Sequence, residues 1–247
     1  MQIQGIQGGR MSAKFRDIEV TYIDSMGNDA RVLNIARTSF NKWKEEDALL
    51  DEHELSLLEY LATGLPKDQR HEWKALAQSS KHWSPFAHCF LTVRCRVPLF
   101  LARQLSKHQV GLSWNEESRR YIDDEPTFYM PKEWHVRPKN AKQGSAGVHE
   151  DSKEITEQVL IVTDVALFNY SHLIQIGVAP EEARMILPQN TMVNYIWSGS
   201  VMSMIRVLHQ RLDSHAQLAA QDFAKKLKVI LEEHFPHSIK AFSYLWR

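Results

Sequence analysis

Between Lys107 and Tyr121 the chain reads KHQVGLSWNEESRRY, and these fifteen residues gather Lys107, His108, Glu116, Glu117, Arg119, Arg120 and two serines around one glycine, Gly111. A backbone turn at the glycine would bring several N–H groups and the cationic side chains towards a single oxyanion such as a phosphate. Glu116 and Glu117 are adjacent, so their side chains diverge and do not by themselves form an acid/base pair. Charge counting alone favours a plainer reading, a solvated and salt-bridged loop.

Other reactive residue types are scattered. Arg211, Asp213 and His215 lie together in RLDSHAQ, and Arg184 sits among apolar residues in PEEARMILP. His82 and His88 flank WSPFA, but no carboxylate partner stands at metal-ligand spacing, so no metal is expected. Neither GxGxxG nor GxxxxGK[ST] occurs, which removes the usual dinucleotide fingerprint and the P-loop. Cys89 and Cys95 fall on one face of an alternating run, HCFLTVRCR, and are expected to be buried, inert thiols.

The elements that would carry these residues follow from periodicity. A strand is expected from His88 to Arg96, with a helix over PLFLARQLSKH whose first turn takes Pro98 and whose one face shares Arg103 and Lys107. Helices are also expected over ARVLNIARTSF, over EDALLDEHELSLLEYLATG with a stop at Gly64, and from Ser152 to Ile176 with a cap at Gly177. APEEARMILP predicts a short helix, NTMVNYIWSGS a strand, and the last fifty or so residues two more helices. An exposed loop is expected near 132–150, and residues 1–17 read as a flexible lead-in to one domain over 18–247. Local strands among large helices, without regular βαβ alternation, predict the α+β class.

Composition narrows the partners. The 247 residues carry 30 Lys+Arg against 30 Asp+Glu, so no global field attracts nucleic acid or an anionic membrane, and any anion site must be local. No apolar run approaches the roughly 18 residues of a membrane span, and the N-terminus lacks a signal-peptide layout, so a cytoplasmic location is expected.

Taken together, these segments resemble the flavin-dependent thymidylate synthases, the ThyX family, whose signature is Arg-His-Arg, seven residues and Ser, usually continued as Asn-Glu-x-Ser-x-Arg-Tyr. His108, Gly111, Asn115, Glu116, Ser118, Arg120 and Tyr121 match it, and MGND, ARTSF, HWSPFAH, PLFLARQ, EEARMILP and RLDSHAQ follow in family order. Lys107 and Gln109 stand where the signature has arginines, and eight residues rather than seven separate Gln109 from Ser118. Ser200, Val201 and Met202 stand where the family commonly shows Asn-x-Arg. The pattern is that of a divergent, phage-like branch.

The resemblance implies a ThyX-like fold, a small and mostly antiparallel sheet flanked by helices in a single domain. It implies a homotetramer with shared active sites, FAD as cofactor, and NADPH and 5,10-methylenetetrahydrofolate as co-substrates in the methylation of dUMP to dTMP. By family position Ser84, Lys107, His108, Gln109, Glu116, Ser200, Val201, Met202 and Arg206 contact FAD. Gln104, Lys107, Glu116, Glu117, Ser118, Arg119, Arg120, Arg184 and Arg211 hold dUMP, with Ser118 positioning substrate rather than attacking it. Arg211 is the catalytic residue, stabilising charge on the uracil, and His82 is placed near the folate or flavin side. A non-catalytic nucleotide-binding protein with a weakened flavin site is the alternative.

Overall fold

The computed structural model describes residues 12–46, 49–79, 81–122, 124–139 and 144–246. Among the described residues the strands are, in chain order, β1 (Lys14–Phe15), β2 (Glu19–Met26), β3 (Phe90–Pro98), β4 (Leu112–Glu116), β5 (Thr127–Phe128) and β6 (Met192–Ser200). The helices are α1 (Asp29–Arg37), α2 (Glu52–Thr63), α3 (Trp73–Gln78), α4 (Leu99–Leu105), α5 (Ser152–Gln175), α6 (Pro180–Ala183), α7 (Val201–Arg211), α8 (Leu218–His234) and α9 (Pro236–Ala241). The architecture is the expected α+β mixture, with one small antiparallel sheet of order β2-β3-β6-β4 and a parallel pair β1-β5.

Two compact units can be recognised. One comprises residues up to Ile18 with 96–104 and 116–194, the other 19–95, 105–115 and 195–247. Neither is a continuous stretch, so no single cut in the sequence separates them.

In the first unit, Ala13, Phe128 and Leu167 form a buried cluster, with Phe15 and Leu187 packed against it. Asp164 on α5 accepts a hydrogen bond from the Ala13 amide at 2.8 Å. Of the expected lead-in, residues 1–11 lie outside the described residues, while Lys14 and Phe15 already pair with Thr127 and Phe128. The expected loop near 132–150 is organised in part. His135 and Val148 form an antiparallel bridge, and the Trp134 indole donates to Thr156 Oγ1 at 3.0 Å; residues 140–143 lie outside the described residues.

In the second unit, α7 packs on α8, and α9 packs on α2. The period-two reading of the cysteine strand holds, because Cys89, Leu91, Val93 and Cys95 are all fully buried. Helix α2 starts later than its apolar pattern suggested, since Leu49 is 97% exposed and the true start is a capping box. There the Asp51 carboxylate accepts from the Glu54 amide at 2.8 Å and Glu54 accepts from the Asp51 amide at 3.2 Å. Glu54 also accepts from Lys44 and Arg37 at 2.9 and 2.7 Å; the Lys44 bond first, then Arg37, holds its carboxyl down at about 2. Gly64, at φ 71°, ends the helix in the left-handed conformation that a side chain would disfavour.

Two local expectations are corrected. Pro98 is the last residue of β3 rather than the first turn of the following helix, and α4 stops at Leu105, so Arg103 and Lys107 do not share a helical face. The polar stretch also contains a strand, β4, because Leu112, Trp114 and their neighbours alternate.

Candidate active site

The polar stretch divides between two clefts, each contained in one unit. The first, about 440 Å³, is lined by Glu116, Glu117, Ser118, Arg119, Arg120, Arg184 and Thr191, with Leu99, Leu187 and Val193 as its apolar wall. Glu116 closes β4, and the next residues turn away after the Glu117 amide donates to the Asn194 carbonyl at 2.9 Å. The Asn194 side chain then links two charges. Its amide donates to Glu117 Oε2 at 2.7 Å and its oxygen accepts from Arg96 Nε at 3.1 Å. A carboxylate braced in this way keeps one orientation, as a substrate-reading acceptor requires.

In the same lining Arg120 and Arg184 are held through their inner nitrogens and Arg119 through a terminal one. Arg120 Nε donates to Ser118 Oγ at 2.9 Å, Arg119 Nη1 to the Asp124 carbonyl at 2.8 Å, and Arg184 Nε to the Glu181 carbonyl at 3.2 Å. Fixing Nε fixes the plane of the guanidinium and leaves the terminal nitrogens of Arg120 and Arg184 for a ligand. Ser118 Oγ accepts from Arg120 and meets no general base among the described residues, which is the arrangement of a positioning hydroxyl.

The second cleft, about 230 Å³, is lined by Lys107, His108, Gln109, Val110, Leu112, Ser203, Arg206, Gln210 and Arg211. Among the described residues no carboxylate lines it, so in a chain without net charge this is a local cationic spot of the kind an anion site needs. Arg211 Nε donates to His108 Nε2 at 3.0 Å. Burial first, and then the Arg211 charge, push the His108 imidazole down to about 4, so it is neutral at pH 7; burial also lowers Arg211.

Local packing sets the segment before β4. The His108 amide donates to the Leu105 carbonyl at 2.9 Å and Gly111 adopts φ 72°. A Cβ at Gly111 would collide with Ser203 Oγ, so glycine is required twice over, by conformation and by space.

The remaining candidates are placed as follows. Ser200 caps α7, accepting from the Ser203 amide at 3.2 Å, and Val201 is fully buried with its amide on the Cys89 carbonyl at 2.8 Å. Neither residue is among those that line the three clefts; Ser200, as the N-cap, turns its hydroxyl to the helix and to Ser203. Met202 and Arg206 line a third cleft with Trp83, His209, Phe242 and Tyr244, and Arg206 lies over the Trp83 ring at 5.8 Å. Ser84, exposed in a 3-10 turn, and the exposed His82, whose ring lies 5.2 Å from Tyr60, line none of these clefts. Gln104, half-buried on α4, also stands apart from them.

Asn194, Ser203 and Gln210 were not anticipated. Ser203 and Gln210 follow from helical spacing once Arg206 is chosen, as residues three before and four after it on one face of α7. Asn194 carries no such signal, since an inward amide on a strand is identified only by what it touches.

The described residues contain no group of three metal-ligating side chains. Both thiols are closed to chemistry, because burial raises Cys89 and Cys95 to about 12.

A family model, Thy1 (thymidylate synthase complementing protein), matches residues 21–237. The chain is 29% identical over 224 residues to a flavin-dependent thymidylate synthase of Thermosipho africanus, a match that covers 89% of this chain and 88% of that one. It is 30% identical over 223 residues to the flavin-dependent thymidylate synthase of Thermotoga neapolitana, covering 90% and 89%. Among solved structures it is similar to the UMP/dUMP methylase PolB from Streptomyces cacaoi bound with 5-Br dUMP, with a TM-score of 0.77, 26% identity, and 94% and 97% of the two chains covered.

Proposed function

Since the chain belongs to the Thy1 family, whose relatives here are flavin-dependent thymidylate synthases, we propose that it methylates dUMP to dTMP, with carbon from 5,10-methylenetetrahydrofolate and reducing equivalents from NADPH. The observation that carries this reading is the first cleft. It sets Ser118, Arg119, Arg120 and Arg184 beside two carboxylates in a volume suited to a mononucleotide. The arginines and Ser118 bind the phosphate, while Glu117, braced by Asn194, is an acceptor for a base or sugar donor.

The second cleft, about half the volume of the first, suits the phosphate-bearing part of the family's flavin. A flavin dinucleotide presents a pyrophosphate and ribityl oxygens, and the lining offers Lys107, Arg206, Gln109 and Gln210 as donors with no carboxylate to repel it. When bound, FAD supplies the hydride for reducing the transferred carbon. Lys107 and Gln109 hold its phosphates without the arginine fork that the family signature provides.

Arg211 keeps its charge at pH 7 and stabilises the uracil as N3 loses its proton, a preorganised electrostatic contribution. The neutral His108 places no competing cation against it. With both thiols held protonated, neither cysteine attacks C6, which supports a route through reduced flavin.

Assembly as a homotetramer with shared sites is part of this reading. Helix α5 exposes Ile161, Val162, Val165 and Phe168, an apolar face spaced one, four and seven residues along, of the kind an interface covers. Light scattering should give about four times the 28.7 kDa chain mass.

One spectrum tests the proposal. Purified protein should show flavin absorbance or gain it with added FAD, bleach anaerobically with NADPH, and form dTMP when dUMP and the folate are added. Absorbance and fluorescence unchanged by FAD would sink it. The second reading, a nucleotide-binding protein without flavin chemistry, is favoured by Ser200, Val201 and Met202 standing where the family commonly shows Asn-x-Arg, and predicts dUMP binding in that same colourless protein.

A further inference from the structure

Among the described residues Arg211 hydrogen-bonds not to a carboxylate but to an imidazole nitrogen, and an arginine can only donate. The 3.0 Å contact from Arg211 Nε therefore needs an unprotonated Nε2, which places the His108 proton on Nδ1. Nδ1–H is the less common tautomer of a free imidazole, so the surroundings must select it. We propose that His108 is the positioning residue for Arg211: its Nε2 accepts the Nε–H, sets the plane of the guanidinium, and turns the two terminal nitrogens to the substrate. The inference rests on the reading of Arg211 as the group that faces the uracil, and gives His108 a task separate from flavin contact.

Three observations hold the imidazole in place. The buried Trp197 ring stands edge-on to it, with centroids 6.3 Å apart at 65°. Its backbone is tied by the amide bond to Leu105, and the Gly111 turn is tied by the Ser200 amide donating to the Gly111 carbonyl at 3.2 Å. The collision that any Cβ at Gly111 would make with Ser203 shows how closely this turn lies on α7, the helix that carries Arg211. The acceptor and the guanidinium are thus fixed from two elements, a short turn and a helix C-terminus.

A histidine suits this position better than a carboxylate. The charged groups lining the cleft with it are Lys107 from its own segment and Arg206 and Arg211 from α7, all cationic. Protonating the imidazole would add a fourth positive charge and remove the acceptor. A glutamate would orient the guanidinium too, but would neutralise the charge that an ionising uracil needs. A neutral acceptor orients Arg211 and leaves its charge for the substrate.

The test uses the flavin-loaded protein, with a spectroscopic and a kinetic readout. Solid-state 15N NMR of sedimented, histidine-labelled protein, with His108 assigned by its loss in His108→Gln, should show Nδ1 protonated and Nε2 bare at pH 7. Arg211→Ala should return that ring towards a mixed tautomer. A protonated Nε2 or an imidazolium at pH 7 overturns the proposal.

In turnover, His108→Leu should lose about fifty-fold in kcat with a small change in the KM for dUMP, since displacement of a catalytic group by about 1 Å can cost two orders of magnitude. His108→Gln, whose amide oxygen can accept from Arg211, should recover most of that loss. Equal impairment of the two variants, with FAD absorbance retained in both, also overturns it. Absent turnover in the wild-type protein counts instead against the proposed function, and the tautomer spectrum still decides the contact.

Discussion

The two clefts use the same residue type to different ends. In the first, Arg119, Arg120 and Arg184 share the lining with Glu116 and Glu117, and each arginine is anchored by hydrogen bonds to a neighbouring hydroxyl or carbonyl. In the second, Lys107, Arg206 and Arg211 share the lining with no carboxylate among the described residues, and the hydrogen bond that anchors Arg211 goes to a neutral imidazole. The first, with three cations against two carboxylates, is partly compensated and suits a ligand with a phosphate at one end and a polar base at the other. The second is uncompensated and suits a polyanion, or a group that becomes anionic as it reacts. Arginine count does not separate them; what each guanidinium donates to does.

The sharpest way to break this contrast is Arg211→Ala. Loss of a preorganised donor facing developing charge should lower dTMP formation by about a thousand-fold, while the flavin spectrum persists. Turnover within a few-fold of wild type would remove the electrostatic role. Arg184→Ala should act differently, because a phosphate contact is made equally in ground and transition states. The expected result in steady-state kinetics is a KM for dUMP raised about ten- to a hundred-fold with kcat within about three-fold. A kcat loss matching that of Arg211→Ala would merge the two clefts into one catalytic unit.

The contrast also has a pH signature. The His108 imidazole titrates near 6.5 when unfolded and near 4 when folded, so between those values the unfolded chain binds the extra proton. Its contribution to stability is complete above pH 6.5 and is lost as pH falls towards 4. Melting followed at pH 7.5 and pH 5.0 should show a larger drop for wild type than for His108→Gln, which has no such proton to take up. Equal drops would mean that the ring is not held neutral.

How much of this was legible in the sequence depended on whether a residue's role is local. The burial of the cysteine face of β3, the stop at Gly64 and the long α5 follow from periodicity and turn chemistry, which act over a few residues. The start of α2 was missed because apolar Leu49 and Leu50 extend the pattern past the point where the Asp51/Glu54 capping box begins the helix. The end of α4 was missed for the converse reason, since QLSKH would continue a helix and only the Gly111 turn on α7 explains why it stops. In the site, Arg119, Arg120 and Arg184 come to one cleft as the family pattern implies. The contact between His108 and Arg211 spans over a hundred positions, and no spacing rule reaches that far. Ser200 and Val201 show the local side of the same rule: a serine before an apolar run is a helix N-cap, and there the two residues are buried at the start of α7.

The smallest expected effect tests whether the second cleft was tuned by its departures from the family signature. Lys107 is exposed on the rim of the cleft, and an ammonium binds a phosphate as a point charge where a guanidinium binds it with two parallel bonds. Lys107→Arg should therefore tighten FAD by about two- to five-fold, read by fluorescence titration, with the KM for dUMP unchanged if the first cleft is the phosphate clamp, as proposed. The extra residue before Ser118 opposes the change, since it alters the reach of the turn on which Lys107 stands. If FAD weakens instead, the turn has been rebuilt around lysine, and restoring the signature residue alone does not restore the family's geometry. If the dUMP KM moves with it, Lys107 serves the nucleotide as well, and the division of labour between the two clefts is narrower than their linings suggest.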